Sequence, residues 1–282
     1  MKKIIHFIIF LMILICAILF YARFIGTTGL NTNEIVINDS NIPVSYDGLK
    51  IVHFTDIHYT RVITNKRVKE LIDEINRLKP DLVFFTGDLI DTDSTPNEEN
   101  KQKLINFLKE IKTKYGKYAV IGNHDYDNHL ELVKEIYKLS NFTLLENSYD
   151  IIYNNNNDKI FIGGLNTVSF DLADIDETMK YFDNNDNINY KIILVHEPDY
   201  TDTIVEKYPD VNLILSGHSH AGQVRLPFIG GIFKNSNAIK YSEGFYQVND
   251  TKLFISNGIG VSRYNFRLFN RPSINLYRIY NN

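Results

Sequence analysis

Apolar positions first occur along this chain as one unbroken run near the amino terminus. No charged side chain occurs from Ile4 to Ala22, and a helix of that length would span roughly 29 Å, about one bilayer core. The alternative, a cleaved signal peptide, would have a shorter apolar region followed by a small-x-small cleavage site. Lys2 and Lys3 favour a cytoplasmic amino terminus, although Arg23 weakens that orientation. The pattern predicts an uncleaved single-pass anchor in the cell membrane, with the body on the extracytoplasmic side.

Beyond this run, short apolar stretches alternate with segments of helical periodicity. The stretches "EIVI", "KIVHFT", "LVFFT" and "YAVI" predict strands, the first of them at a sheet edge. Apolar spacing predicts helices over residues 65–79, where Pro80 ends the helix, and over Leu130–Leu139. Between these helices, "TPNE" predicts a capping box with Pro96 at the first helical position, and Gly116 is expected to end that helix. This βαβαβα order is typical of a parallel or mixed sheet covered by helices.

The second half of the chain is richer in predicted strands. These are "IIY", "KIFIGG", "KIILVH", "VNLILSG", "QVRL", "KLFISNG" and "INLYRIY", with helices expected near 174–182 and 199–207. The segments "NNNND" and "DNNDN" are expected to be surface loops. The predicted architecture is α/β, with two β-sheets in one domain. The boundaries are a tail at residues 1–3, a transmembrane anchor at 4–22, a tether and edge strand at 23–46, and the domain at 47–282.

Composition narrows the classes of function. The 282 residues carry a net charge of −4, which argues against general nucleic-acid binding. Residues 225–282 are nevertheless basic, with eight Lys or Arg against two acidic side chains, and the rest of the chain carries −10. Cys16 is the one cysteine and lies in the apolar run, which excludes an intrachain disulfide and a thiolate metal site.

Five polar clusters each follow a predicted strand. The clusters are "FTDIH", "FTGDLID", "VIGNHD", "ILVHE" and "LSGHSH", and they contain Asp56, His58, Asp88, Asp91, Asn123, His124, His196, His218 and His220. Ligands of α/β proteins bind at the carboxyl ends of strands. Residues two apart on an extended chain point the same way, so D-x-H and H-x-H are each expected to hold one ion. A polar turn would explain any one cluster, but five in one chain indicate a shared site.

The donors in these clusters are carboxylate, amide and imidazole groups. Such donors suit Mn, Fe or Zn in a catalytic site rather than a structural zinc. Seven ligands exceed the needs of one ion and fit two divalent ions that share a bridging carboxylate. Two ions in this arrangement can clamp a phosphate and activate the water between them.

In this order, D-x-H, G-D-x-x-D, G-N-H-D, a single His and G-H-x-H resemble the motifs of the calcineurin-like metallophosphoesterases, from about Leu49 to the end. The resemblance implies two mixed sheets packed face to face and flanked by helices. It implies that Asp56, His58 and His220 bind the first metal, that Asn123, His196 and His218 bind the second, and that Asp88 bridges both. His124 is implied to face the phosphate, where it protonates the leaving oxygen or stabilises the developing charge. Asp91 or Asp125 is expected to orient His124, and either could be a simple turn acid.

The resemblance also implies a single-step reaction, in which a metal-bridging hydroxide attacks phosphorus in line. With the anchor, this favours a phosphodiesterase acting on a lipid-linked or cell-envelope phosphodiester. The segments "GHSHAGQVRLP" and "ISNGIGVSRYNFRLFNRP" resemble a membrane-associated bacterial branch of the family. The alternatives are a UDP-diacylglucosamine-type pyrophosphohydrolase and a non-catalytic anchored scaffold, which missing ligands would mark. A nuclease is disfavoured because the half with the first three clusters is acidic.

The remaining candidate residues have simpler expected roles. His53 is expected to be a packed core histidine, His6 an interfacial residue of the anchor, and His129 a surface residue of a helix. Arg225 either contacts the substrate phosphate or forms a structural salt bridge. The basic carboxyl-terminal segment either faces an anionic membrane or distributes its charges over a folded surface.

Overall fold

The computed structural model describes residues 1–59, 62–154, 156, 158–183, 188–262 and 264–282. Residues 155 and 157 of "NNNND" and residues 184–187 of "DNNDN", predicted as surface loops, lie outside the described residues.

The predicted helices and strands occur in their predicted order, together with further short elements that the hydrophobic pattern did not predict. The α-helices are α1 (Lys2–Phe20), α2 (Asn65–Leu78), α3 (Glu98–Lys109), α4 (Asn123–Asn128), α5 (Leu130–Leu139), α6 (Ile175–Met179) and α7 (Thr201–Lys207). The first strands are β1 (Asn31–Asn38), β2 (Leu49–Phe54), β3 (Leu82–Phe85), β4 (Gly116–Ala119), β5 (Thr143–Leu144), β6 (Ser148–Tyr153) and β7 (Lys159–Gly164). The later strands are β8 (Lys191–Leu194), β9 (Leu213–Ser216), β10 (Arg225–Leu226), β11 (Gly230–Gly231), β12 (Gly244–Val248), β13 (Thr251–Ile255) and β14 (Ser273–Tyr280).

Two six-stranded sheets form the body. The first sheet has the order β1-β14-β2-β3-β4-β5, and the second has the order β12-β13-β9-β8-β7-β6. Strands β2, β3 and β4 are parallel, whereas β14 is antiparallel to β2. Strands β7, β8, β9 and β13 are parallel, whereas β6 and β12 are antiparallel to their neighbours. The prediction of two mixed sheets, with the "EIVI" strand at an edge, is confirmed.

The apolar core lies in three layers. Between the sheets, Phe84 and Tyr277 of the first sheet pack with Leu215 of the second. On the outer face of the first sheet, side chains such as Ile72 and Leu108 bring α2, α3 and α5 against the strands. Helices α6 and α7 cover the second sheet in a third cluster. Because both faces of the central strands are covered, their sequences are continuous apolar runs rather than alternating ones.

The predicted ends of the second body helix were wrong. Helix α3 begins after Asn97, whose side chain accepts the backbone N–H of Asn100 at 2.9 Å. Asn97 replaces the expected threonine as the cap and leaves Pro96 outside the helix, because Asn caps at least as well as Thr. The helix ends at Lys109, and Gly116 instead opens β4 with a φ of 136°.

The amino-terminal helix joins the body directly. Among the described residues, one helix, Lys2–Ile25, is long and apolar enough to cross a membrane; its last part, Tyr21–Ile25, is a π-helical turn. The carbonyl of Ala22 accepts the backbone N–H of Arg267 at 2.9 Å, and a Cβ at Gly26 would overlap the Arg267 carbonyl. The start of the segment predicted as a tether therefore packs against the body.

Candidate metal centre

The five polar clusters lie just beyond the carboxyl ends of β2, β3, β4, β8 and β9. These strands are neighbours in their sheets, so the clusters meet at one edge of the sandwich. Five of these residues have a backbone conformation in the left-handed region: Asp56 with φ 54°, His58 with 46°, Asp88 with 58°, His218 with 63° and His220 with 48°. Such conformations cost about 1–3 kcal/mol each and cluster at functional sites. The strain indicates that these turns are shaped by the site.

The first group of ligand atoms combines Asp56, His58 and His220. His220 Nε2 lies 3.3 Å from Asp56 Oδ1 and 3.1 Å from His58 Nε2. All three side chains are buried. One carboxylate and two imidazoles at this spacing can hold a divalent ion.

The second group combines Asp88, His196 and His218. Asp88 Oδ2 lies 3.2 Å from His196 Nε2 and 3.6 Å from His58 Nε2. This one oxygen therefore faces both groups, which is the position that a bridging carboxylate needs.

The expectation that the H-x-H pair holds one ion was wrong. His218 lies in the second group and His220 in the first. The expectation assumed an extended chain, but Ser219 between the two histidines has φ −71° and ψ −22°, so the pair forms a turn. The two imidazoles lie in different groups, as the resemblance implies.

Buried atoms without hydrogen-bond partners test whether a cation fits here. Within the described part of the chain, Asp56 Oδ1, Asn123 Oδ1 and His196 Nε2 are buried and make no hydrogen bond. His196 Nδ1 lies 2.5 Å from the carbonyl of Thr86, which can only accept, so Nδ1 carries the proton. Nε2 then faces the Asp88 carboxylate at 3.2 Å. Burial lowers the pKa of His196, but the Asp88 carboxylate raises it more, to well above its ordinary value. A proton on Nε2 therefore relieves the repulsion between the two atoms in the metal-free protein, and a divalent cation can replace that proton, so the residues fit a metal.

The tautomer of His218, the other histidine of the second group, agrees with this arrangement. His218 Nε2 lies 2.8 Å from the carbonyl of Ser236 and donates to it. This leaves the lone pair on Nδ1, as a metal ligand requires. Fixing one ring nitrogen by a backbone carbonyl is the usual way to orient a metal-binding imidazole.

The electrostatics of the cluster also favour a cation. Burial would raise the pKa of Asp88, but nearby His196 more than offsets it and holds the pKa well below the ordinary value. Burial lowers the pKa of His220 well below its ordinary value. Burial would also lower the pKa of His58, but the nearby carboxylates of Asp56 and Asp91 raise it to about 9. The carboxylates are thus ionised, and a metal must compete with a proton at His58.

Gly122 allows the second and third clusters to approach each other. A Cβ at this position would overlap Asp88 Oδ1 and the Asp88 backbone nitrogen. The glycine of "GNHD" is therefore required by close approach rather than by its own φ, which is −94°. The rest of the motif begins α4 instead of forming only a polar turn.

His124 lies at the rim of the same site. Its Nδ1 lies 3.4 Å from Asp91 Oδ1 and 2.8 Å from Thr92 Oγ1, and it accepts the Thr92 backbone N–H at 3.3 Å. Because a backbone amide can only donate, Nδ1 accepts and Nε2 carries the proton. His124 and Asp88 both line a cavity of about 190 Å³. The imidazole can therefore present an N–H donor to a ligand in this cavity.

Asp91 and Asp125 have different roles. Asp91 Oδ1 lies 3.4 Å from both His58 Nδ1 and His124 Nδ1, so it is the acid that contacts His124. Asp125 instead accepts four backbone N–H groups, from Asp88 at 2.8 Å, Leu89 at 2.8 Å, Ile90 at 3.2 Å and Gly122 at 3.2 Å. It holds the turns of the second and third clusters together.

We expect Asp125→Ala to lower the free energy of unfolding by about 3 kcal/mol or more, because it leaves four buried N–H groups without their acceptor. Urea unfolding of the full chain in detergent, followed by circular dichroism, measures this loss. Asp127→Ala is the matched control, since Asp127 is exposed on the same helix. A loss below about 1 kcal/mol for Asp125→Ala would contradict the assigned role.

Of three other residues near the site, one was predicted wrongly. His129 is buried rather than on the surface, and its Nε2 lies 3.2 Å from the Asp91 carbonyl and 3.3 Å from the Thr92 carbonyl. It is buried because it lies against the end of the "GDLID" turn. His53 is a packed core histidine as expected, with Nε2 2.8 Å from Thr86 Oγ1. Arg225 forms an ion pair with Glu243, which favours the salt-bridge alternative.

Two further buried charged residues support the site from outside. Glu197 accepts the Thr167 hydroxyl at 2.5 Å and the backbone N–H of Val168 at 3.0 Å, and it fixes the loop that carries Phe170 into the cavity wall. Arg267 donates to the carbonyl of Gly260 at 2.6 Å and lies 3.3 Å from His220 Nδ1. The sequence signal that could have found Glu197 is its position directly after His196. Arg267 had no such signal, since it is one of several basic residues of the carboxyl-terminal segment.

Comparison with known proteins identifies the class that this fold and site define. Residues 49–222 match the sequence model of the calcineurin-like phosphoesterase family. The chain is 35% identical over 260 residues to the uncharacterized metallophosphoesterase YkuE of Bacillus subtilis, covering 92% of this chain and 88% of the relative. The chain therefore belongs to the calcineurin-like metallophosphoesterases and is a hydrolase of phosphoester bonds.

Two other similarities are more distant. A transmembrane protein with a metallophosphoesterase domain from Danio rerio is 25% identical over 252 residues, which cover 86% of this chain and 55% of that relative. The crystal structure of the calcineurin-like phosphoesterase YfkN from Bacillus subtilis superposes with a TM-score of 0.48 and 15% identity, over 82% of this chain and 90% of that one.

Proposed function

We propose that this protein is a phosphodiesterase with two divalent metal ions, acting on a lipid-linked or cell-envelope phosphodiester. The observation that carries the proposal is the position of Asp88 Oδ2, which faces a histidine of each group at 3.2 and 3.6 Å. A single-metal site would not need a carboxylate oxygen shared in this way.

The proposed ligands come from the two groups together with Asn123, whose buried Oδ1 makes no hydrogen bond. Asp56, His58 and His220 would hold the first ion, Asn123, His196 and His218 would hold the second, and Asp88 would contact both. The donor set suits Mn, Fe or Zn. When bound, the ions supply positive charge for the phosphate oxygens and lower the pKa of a coordinated water.

The protein side chains position the substrate and handle its proton. A phosphate in the cavity beside Asp88 would lie within reach of His124 Nε2, which carries a hydrogen. We propose that this N–H donates a hydrogen bond to the leaving oxygen and stabilises the charge that develops there, and that it protonates the oxygen if Nδ1 takes up a proton in the same step. Asp91 Oδ1, 3.4 Å from Nδ1, would stabilise that second proton.

The helix Lys2–Ile25 is proposed to span the cell membrane once, with the catalytic body on the extracytoplasmic side. The support is its length, its apolar composition and its exposure over the spanning window, together with Lys2 and Lys3 at its start. An anchored hydrolase meets substrates that are held in or near the envelope.

The first test measures substrate preference with the full chain in detergent after metal removal. We expect hydrolysis to return when Mn²⁺ is added, with bis(p-nitrophenyl) phosphate cleaved faster than p-nitrophenyl phosphate. Preference for the monoester would overturn the diesterase proposal and leave the metal centre intact. Tight binding of two ions without turnover of either ester would support the scaffold alternative.

A further inference from the structure

An exposed apolar hairpin extends from the body beside the metal centre. The apolar hairpin, residues 225–233, consists of β10, a turn and β11 with the two residues that follow. Phe228 at its tip is fully exposed, and Ile229 is 74% exposed. Leu226, Ile232 and Phe233 are exposed as well. Contiguous apolar surface of this kind marks an interaction site rather than ordinary protein surface.

The conformation of the tip supports a functional role. Phe228 has a φ of 67°, which is unfavourable for a bulky side chain. The strained backbone directs an aromatic ring into solvent, where the ring does not pack against the protein core. Strain and exposure together are costly unless a partner covers the tip.

The base of the apolar hairpin is fixed to the body. The Ile232 backbone N–H donates to the Val224 carbonyl at 2.9 Å, and Arg225 is paired with Glu243. A Cβ at Gly222 would overlap the backbone of Gly231. The hairpin is therefore a firmly held projection.

Its neighbour on one side is the proposed membrane anchor. The Arg225 backbone N–H donates to the Leu268 carbonyl at 3.0 Å, and the adjacent Arg267 N–H donates to the Ala22 carbonyl at 2.9 Å. Two backbone hydrogen bonds thus connect the hairpin, the 267–268 segment and the last turns of the amino-terminal helix. Exposed Tyr264 and Phe269 lie on the same segment and extend the apolar surface toward the helix.

Its neighbour on the other side is the metal centre. Phe233, Gln223 and Tyr264 line a small gap together with His220. Asn235 and Ser262 border both this gap and the cavity beside Asp88. The apolar hairpin, the end of the anchor helix and the entrance to the site are therefore at one end of the molecule.

We propose that the apolar hairpin inserts into the lipid bilayer beside the anchor helix, as a second membrane contact. The tip residues enter the boundary between headgroups and acyl chains, and exposed Lys234 at the end of the hairpin lies at the level of anionic headgroups. This holds the entrance to the metal centre at the membrane surface, so that a phosphodiester headgroup reaches it without leaving the bilayer. The inference rests on the proposed anchor.

Lipid-borne quenchers test the proposal on the full chain. Phe228→Cys is made together with Cys16→Ser, labelled with a polarity-sensitive fluorophore, and assembled into nanodiscs of phosphatidylcholine and phosphatidylglycerol. Some of the lipids carry a nitroxide near the headgroup end of the acyl chain. We expect blue-shifted emission and quenching that exceeds that of an Asp250→Cys control by about threefold or more. Asp250 is exposed at the amino end of β13, the opposite end of the sheet from the site.

The native cysteine separates failure of the inference from failure of the anchor. Cys16 lies within the anchor helix and is exposed, so the labelled unmutated chain reports on the anchor alone. Quenching at Cys16, with Phe228 quenched no more than Asp250, would overturn the inference and leave the anchor intact. Blue-shifted emission at Phe228 without lipid quenching would also overturn it, because the tip would then be covered by protein, either its own site or a second copy. Ile229→Cys repeats the measurement at a second position of the tip.

Discussion

Asp88→Asn is expected to lower Mn²⁺-dependent phosphodiester hydrolysis by about 10³-fold or more, because losing the bridging charge weakens both proposed metal positions at once. The substitution changes few other contacts. Asp88 Oδ1 accepts the His124 backbone N–H at 2.9 Å, and an asparagine oxygen can keep that bond. The new NH₂ group would face His196 Nε2 and His58 Nε2, which lie 3.2 and 3.6 Å from the oxygen it replaces. It could donate to the His196 lone pair, because the Asp88 charge that raises the pKa of His196 is gone in this variant.

This variant should lose metal and some stability together. Asp56 and Asp125 repel the Asp88 charge, but the nearby histidines outweigh them and burial, and hold the pKa of Asp88 well below its ordinary value, so its charge stabilises the metal-free fold at neutral pH. We expect a lower unfolding temperature without metal, together with fewer bound ions per chain by elemental analysis. Asp73→Asn is the matched control, since Asp73 is an exposed carboxylate on α2. Wild-type turnover by Asp88→Asn, with two ions retained, would contradict the bridging role.

The order of elements was largely predictable because each depends on local pattern. Helix α5 was predicted as Leu130–Leu139, the bounds it has, since its apolar face and its neighbours agree. The ends of α3 were not predictable in the same way, because Thr95 and Asn97 both make acceptable caps and tertiary packing selects between them. Strand β10 was predicted within "QVRL", whereas β5 and β11 have too few residues to show a period and β12 was not predicted.

The candidate site was predictable as a set of residues but less so as an arrangement. Five clusters at strand ends could be placed at one edge of a sheet from topology alone. The division of His218 and His220 between two groups could not be derived from spacing, because it depends on the turn at Ser219 that extended-chain periodicity ignores. Arg267 was beyond prediction for another reason. It is 47 residues from His220 in sequence and meets it only through the packing of the carboxyl-terminal segment.

His124→Asn is expected to lower turnover by about 10²–10⁴-fold while both proposed metal positions keep their ions, because His124 acts on the substrate. Asparagine fits the position, since its side-chain oxygen can accept the Thr92 backbone N–H that His124 Nδ1 now accepts at 3.3 Å. Bound metal per chain, measured beside the rate, checks that the loss does not come from an empty site. Thr92→Val removes the hydroxyl 2.8 Å from Nδ1 and leaves the ring in place, so a smaller loss of about tenfold is expected.

The leaving group decides which of the two roles implied for His124 is correct. A p-nitrophenolate ion is a weak base and can leave without a proton, whereas an alkoxide needs one. If His124 Nε2 donates its hydrogen to the leaving oxygen, His124→Asn should slow alkyl diesters far more than p-nitrophenyl diesters. An equal loss for both would show that the N–H stabilises charge on the phosphate instead, as an electrostatic donor does. The tautomer supports the second outcome, because the Thr92 amide keeps Nδ1 as acceptor, and a neutral imidazole that gave up its Nε2 hydrogen would become an anion. The first outcome requires Nδ1 to take up a proton in the same step, which Asp91 at 3.4 Å would stabilise.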